Sequence, residues 1–283
     1  MRNNIINRLY LISFLSIVSN FSHADIELRF GLYTSDRPSD LITKFHPIVN
    51  LIEQRLTERL KEKVSIKFIM APTYSTGINK LASGQVDFMR MGPASYVLAH
   101  RQNPAITILA AESKKGKKIF KGIICVQQNS SIQTIQDLRG HSFAFGDKHS
   151  TIGRYLSQQY LRQKGIHAKD LIKYKYFNSH DKVGAIVGLG VFDAGALKAS
   201  TFEKLNKKGA KLRKIAEFDN RTKPWVARAG LNPSIASALK DVLLNIKNHK
   251  ALTKLKKDGF LHATHKEYTL IQKAIDDNLE FFK

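Results

Sequence analysis

In the run Ser150-Thr151-Ile152-Gly153, residue type and position come nearest to doing chemistry. It follows Phe145-Gly146-Asp147-Lys148-His149, which reads as a loop leaving a strand, and it opens a stretch with helical spacing. The first turn of a helix leaves backbone N–H groups unbonded and carries the positive end of the helix dipole. A helix start at the carboxyl edge of a sheet is therefore a ready seat for an anion. The hydroxyls of Ser150 and Thr151 would add donors. A Ser-Thr pair is equally an ordinary helix cap, and the local sequence leaves both readings open.

No catalytic set competes with this feature. The chain has no Gly-x-Ser-x-Gly elbow, no His-Glu-x-x-His and no Walker loop, and its ten histidines never form a metal-spaced pair on one helix. His262 and His265, three apart, come closest and read as surface residues flanking a helix start. The one cysteine, Cys125, lies in the apolar run Gly122-Ile123-Ile124-Cys125-Val126, where a thiol behaves as a small buried hydrophobe. The expectation is a protein that is not an enzyme and needs no cofactor or metal. A secreted enzyme or metal binder is the alternative, and turnover discriminates between them.

The N-terminus places Arg2 and Arg8 ahead of an apolar stretch, residues 9–18, and reaches Ser22-His23-Ala24, the small-x-small form that signal peptidase accepts. Residues 1–24 are predicted to be a cleaved signal peptide. As a membrane anchor the apolar run is short of the roughly 20 residues that span a bilayer. The one cysteine lies far downstream of the cleavage point and cannot take a lipid there, so a free periplasmic protein, not anchored to the membrane and monomeric, is expected. The chain carries 46 basic against 23 acidic residues, a net charge of +23. The basic residues are spread along helices without an interleaved aromatic platform, which argues against nucleic acid and fits a general positive field that attracts anions.

The elements that must position the 150–153 run alternate. Strand-like segments at 25–31, 64–69, 86–91 and 106–110 are separated by helical spacing at 45–60 and 76–82 and by a helix opening at Pro93. The pattern restarts after a basic segment, residues 114–118. Strands are predicted at 121–127, 142–145, 172–177 and 191–196, with helices at 151–164 and 182–188 between them. Such alternation implies two α/β units, each a mostly parallel sheet flanked by helices. Strand-like residues at 211–218 and 225–229 lead to helices at 233–248, 250–258 and 267–281, which have no sheet of their own and are expected to pack on the first unit. The division is then 25–118 with 220–283 as lobe 1 and 119–219 as an inserted lobe 2. Two crossings join them, and a ligand crevice lies between.

Six short pieces in order carry a resemblance. They are Gly84-Gln85-Val86-Asp87-Phe88, Met91-Gly92-Pro93-Ala94-Ser95-Tyr96, Asp137-Leu138-Arg139-Gly140 with Phe143-Ala144-Phe145, Ser150-Thr151-Ile152-Gly153, Ser179-His180-Asp181 and Gly190-Val191-Phe192-Asp193-Ala194-Gly195. Over essentially the whole mature chain the sequence resembles the phosphate/phosphite/phosphonate-binding components of ABC importers. That resemblance implies a two-lobed, type II-like periplasmic binding protein that captures a small oxyanion and presents it to an ABC permease or to the outer domain of a sensor kinase. It implies that Tyr74 and Tyr96 reach the ligand from lobe 1, that Ser150 and Thr151 grip its oxygens from lobe 2, and that His180 donates another hydrogen bond. Ser95, Ile152, Gly153 and Asp193 are secondary candidates. A carboxylate at Asp193 would repel an oxyanion unless protonated or bridged, and capping a turn is its other reading.

The sequence departs from the family in two places. Members commonly read Ser-Thr-Ser-Gly at the helix start, whereas Ile152 removes one hydroxyl here. Those that bind amino-phosphonates carry an acid several residues beyond the position of Asp193. Here the stretch reads Leu197-Lys198-Ala199-Ser200, which disfavours an ammonium-bearing ligand. Lys198, were it to face the crevice, would favour a more highly charged or carboxylate-bearing anion; a solvated lysine is the commoner situation.

Overall fold

A computed structural model describes residues 25–33, 38–247 and 249–283. The expected signal peptide, residues 1–24, lies outside them. The strands of lobe 1 are β1 (Ile26–Tyr33), β2 (Val64–Ala71), β3 (Phe88–Arg90) and β4 (Thr107–Ser113). The middle of the chain supplies β5 (Ile119–Gln127), β6 (Ser142–Phe145), β7 (Lys173–Tyr176), β8 (Ala194–Lys198) and β9 (Leu212–Arg221). The chain then returns to lobe 1 with β10 (Pro224–Ala227) and β11 (Gly259–Leu261). The helices are α1 (Pro38–Leu60), α2 (Tyr74–Ala82), α3 (Pro93–Gln102), α4 (Leu156–Gln163), α5 (His180–Gly188), α6 (Ala199–Lys207), α7 (Pro233–Leu244) and α8 (Thr269–Asp276).

One sheet has the order β11-β4-β10-β3-β1-β2 and the other β7-β6-β8-β5-β9. Both are mixed. Strands joined through a helix on the sheet face, β1 with β2 and β3, and β6 with β7 and β8, run parallel. The strands that carry the chain across and back, β5, β9 and β10, pair antiparallel with their neighbours. A crossing chain that enters and leaves through the same side of a sheet must reverse direction, which the alternation of strand and helix did not show. Pro224 takes the first position of the central strand β10, where its missing N–H is tolerated.

Lobe 1 buries its apolar helix faces on a ring cluster. Trp225 stacks on Phe30 at 4.9 Å and meets Phe260 edge-on at 5.3 Å, while Ile48, Ile52 and Leu56 of α1 are fully buried with them. Rings of this size dominate a core because each removes a large apolar area from water. The crossings between lobes are themselves paired: Thr222 N–H donates to the Lys118 carbonyl at 2.9 Å, and Phe120 registers with Asn220 in the β5–β9 ladder.

The C-terminal helices depart from their expected place. Helix α7 packs on α1 and β4 of lobe 1, but α8 lies on α3 and on the helix start at 151–155, and the 3₁₀ turns Asp277–Phe282 pack on α4 of lobe 2. Phe281 meets Phe145 edge-on at 5.8 Å, Asn278 donates to the Gln158 side chain at 2.7 Å, and Arg162 pairs with Asp277 at 3.2 Å. The apolar face of α4 needed a cover, and this segment supplies it. Among the described residues, no helix is long and apolar enough to cross a membrane.

Candidate ligand-binding site

Strand β6 ends at Phe145, and the chain doubles back so closely that a Cβ on Gly146 would lie 2.9 Å from the Gly153 Cα. Gly146 N–H donates to the Gly153 carbonyl at 2.8 Å, which pins the following helix start to the strand end. Ser150 caps that start, its Oγ accepting from Gly153 N–H at 3.0 Å. The first turn, Thr151–Tyr155, is wide, a π-helical turn that precedes α4. Turns of this kind recur at functional sites.

A second helix start faces it from lobe 1. Helix α3 opens Gly92-Pro93-Ala94-Ser95, and Ala94 N–H donates to Thr151 Oγ1 at 2.9 Å across the crevice. Tyr33, at the end of β1, accepts from Gly92 N–H at 2.5 Å and donates to Ser95 Oγ at 2.8 Å, so its phenol is locked against that start. The Tyr74 ring packs on Tyr33 at 4.5 Å.

Between the lobes lie two adjoining chambers of about 140 Å³ and 20 Å³. Tyr74, Ser150, His180, Lys198 and Lys223 border both. Gly92, Pro93, Phe120, Thr151, Ile152 and Asn220 complete the smaller one. Lys44, Arg90, Asp147, Asn178 and Asp181 belong to the larger. The cations come from four places: α1, the end of β3, the end of β8 and the returning crossing.

The electrostatics are positive and crowded. Burial, then Lys198 and Lys223, hold the His180 imidazole well below the ordinary histidine range, against a bond to the Ala196 backbone. Burial, then Arg90 and Lys198, hold the Lys223 ammonium well below the ordinary lysine range, against the pull of Glu112. Behind Arg90, Glu112 is fully buried. Burial opposes its ionisation, yet Arg90, Lys257 and Lys223 bring it down to about 2. Two residues that border the small chamber each have a buried side-chain atom without a hydrogen-bond partner among the described residues, His180 Nδ1 and Asn220 Oδ1. Buried polar atoms are ordinarily satisfied; Asn220 Oδ1 can only accept, so of the two only the imidazole nitrogen, in the tautomer that carries its proton there, could donate to an anion.

Residues 30–268 match the model of the family described as ABC transporter, phosphonate, periplasmic substrate-binding protein. The chain belongs to that family. A curated relative, the probable ABC transporter phosphite binding protein PhnD1 of Prochlorococcus marinus (strain MIT 9301), is 28% identical over 245 residues, 79% of this chain and 81% of its own. The structure of PhnD1 in complex with methylphosphonate is similar at a TM-score of 0.75 and 27% identity, over 89% of this chain and 97% of that one. XAC2383 from Xanthomonas citri, bound to chloride, gives 0.77 at 20% identity, over 90% of this chain and 98% of that one, a likeness of fold.

Within this phosphonate-binding family member, Tyr74, Ser150, Thr151, His180 and Ile152 are brought together on the chambers. Tyr96 is not. Its side chain is buried in the core, its hydroxyl paired with His265 Nδ1 at 2.9 Å and its ring edge-on to Tyr268, because it sits on the face of α3 that the 3₁₀ turn His265–Tyr268, leading into α8, covers. Burial pushes its phenol up to about 12. Ser95 lies one layer behind, holding Tyr33, and Gly153 closes the turn on Gly146. Asp193 is structural: its carboxylate accepts from Ser142 N–H at 2.8 Å and Ser142 O–H at 2.6 Å, tying the starts of β6 and β8. The site lies at the other end of those strands. Sequence reasoning missed Tyr33, Lys44, Arg90, Asn220 and Lys223. The usable signal was position, since Tyr33, Arg90 and Lys198 end strands at the edge where α/β sheets bind ligands.

Proposed function

We propose that this protein, exported to the periplasm, captures a small phosphorus oxyanion (phosphate, phosphite or phosphonate) between its lobes and delivers it to an ABC permease without chemical turnover. The observation that carries the reading is the convergence of two helix starts, at Ser150 and at Pro93, on one small chamber that His180 also borders. The anion docks on the Ser150 start, where hydroxyl and backbone N–H donors and the dipole act together. Tyr74 meets it from lobe 1. A phenol donates to an anion without adding charge, which suits reversible release. The Ala94-to-Thr151 bond spans the lobes, and contacts of that kind, absent from an open form, are what can drive closure. PhnD1, with methylphosphonate bound, supports the ligand class.

The test is thermal unfolding against phosphate, phosphite, methylphosphonate, sulfate and dicarboxylates. A ligand at 100 times its Kd adds about 2.7 kcal/mol, a visible shift in Tm. A phosphorus oxyanion is expected to give that shift, and Thr151→Val, which keeps the shape and removes the hydroxyl, to abolish most of it. A shift given only by a dicarboxylate would contradict the ligand class.

A further inference from the structure

Helix α3 starts Gly92-Pro93-Ala94-Ser95, and the glycine in its cap position has no side chain to offer the first turn. The cap comes from another element. The Tyr33 hydroxyl, at the end of β1, accepts from the buried Gly92 N–H at 2.5 Å and donates its only proton to the buried Ser95 Oγ at 2.8 Å. Burial raises the pKa of the phenol, against its bonds to Ser95 and Gly92, so that proton stays in place. Tyr33 borders the larger chamber, yet its hydroxyl has no proton left to give an anion there.

The ring is held as closely as the hydroxyl. Gly77 of α2 lies so near that an added methyl would fall 2.6 Å from a carbon of the Tyr33 ring, and the Tyr74 ring packs on it at 4.5 Å. Two residues beyond Gly92, Ala94 N–H makes the bond to Thr151 Oγ1 that crosses the crevice at 2.9 Å. Resting on the oxyanion reading above, we infer that Tyr33 is a positioning residue of the binding site: its hydroxyl fixes the start of α3 so that Ala94 meets Thr151 when the lobes come together. A buried N–H that loses its partner is costly, and the first turn shifts to find it another, carrying Ala94 with it.

Tyr33→Phe keeps the ring against Gly77 and Tyr74 and removes the hydroxyl alone. Two measurements on the full chain separate positioning from general support of the fold: site-resolved amide hydrogen exchange without ligand, and calorimetric titration with phosphate, phosphite and methylphosphonate. Exchange at Gly92, Ala94 and Ser95 is expected to quicken about tenfold in the variant while the rest of lobe 1 keeps its wild-type rates. The oxyanion that the wild type binds most tightly is expected to bind about tenfold more weakly. Unchanged exchange at the α3 start, or an affinity within about twofold of the wild type, overturns the inference and leaves the oxyanion reading standing. Faster exchange throughout lobe 1 makes Tyr33 a general support of the fold and also overturns it. A wild type that binds none of the three anions overturns the oxyanion reading, and the inference with it.

Discussion

His180 and Lys223 are the residues at which binding and protonation meet. Both are held short of their charged forms by burial first and by neighbouring cations next, and an anion placed between them favours the charged forms again. Binding is therefore expected to take up protons, and the uptake measured by calorimetry in buffers of different ionisation enthalpy at pH 7 should be positive. His180→Asn should reduce it. The sign for stability is opposite. The folded pKa of His180 lies below its unfolded value of about 6.5, so the stability linked to its neutral form is present above that pH and is lost as pH falls through it.

At the scale of elements, the site depends on how β6 hands the chain to the 151–155 turn. Gly146 and Gly153 pack so closely that a methyl on either would lie within 2.9 Å of the other's Cα. Gly146→Ala is expected to cost about 1–3 kcal/mol in chemical denaturation and to weaken ligand binding more than that loss alone explains, because the Ser150 start must move. A second junction ties β3, β4, β10 and the 256–258 segment. Buried Glu112 pairs with Arg90 and Lys257 and lies 3.3 Å from Trp225 Nε1. Removing one charge of a buried set leaves the others uncompensated, so Glu112→Gln is expected to lower unfolding stability by about 3–5 kcal/mol. With a folded pKa near 2 against an ordinary value of 4.5, the stability Glu112 supplies is present above about pH 4.5 and is lost as pH falls toward 2. Acid titration of the wild type followed by circular dichroism checks that window.

For the whole molecule, the two paired crossings and the C-terminal segment join the lobes beside the Ala94-to-Thr151 contact across the crevice. The C-terminal segment bridges α3 to α4 and merges buried residues of both lobes, including Val97, Phe145 and Phe281, into one apolar cluster. Rotation of the lobes must keep this bridge intact or slide it, which favours a small hinge motion over a wide one. Small-angle scattering with and without saturating methylphosphonate is expected to show a modest fall in the radius of gyration on binding. An unchanged radius would mean that the closed arrangement forms without ligand.

The sequence by itself determined a good deal. Period-2 and helical spacing placed most strands and helices, because they record which face of each element is buried. The Ser150 start was legible, since a cap, a preceding strand and a following helix are all local. What only the tertiary structure decided are relations between distant residues. Tyr96 and Tyr74 look alike in sequence, yet one is covered by the turn that leads into α8 and the other is left on the cavity. Lys44, Arg90, Lys198 and Lys223 stand in four separate segments among 46 basic residues, and no spacing sets them apart. They become one site only because β3 and β8 end at the crevice, the returning crossing runs beside it, and α1 lies over it. Electrostatic potential depends on distance in space, and the fold alone supplies that distance.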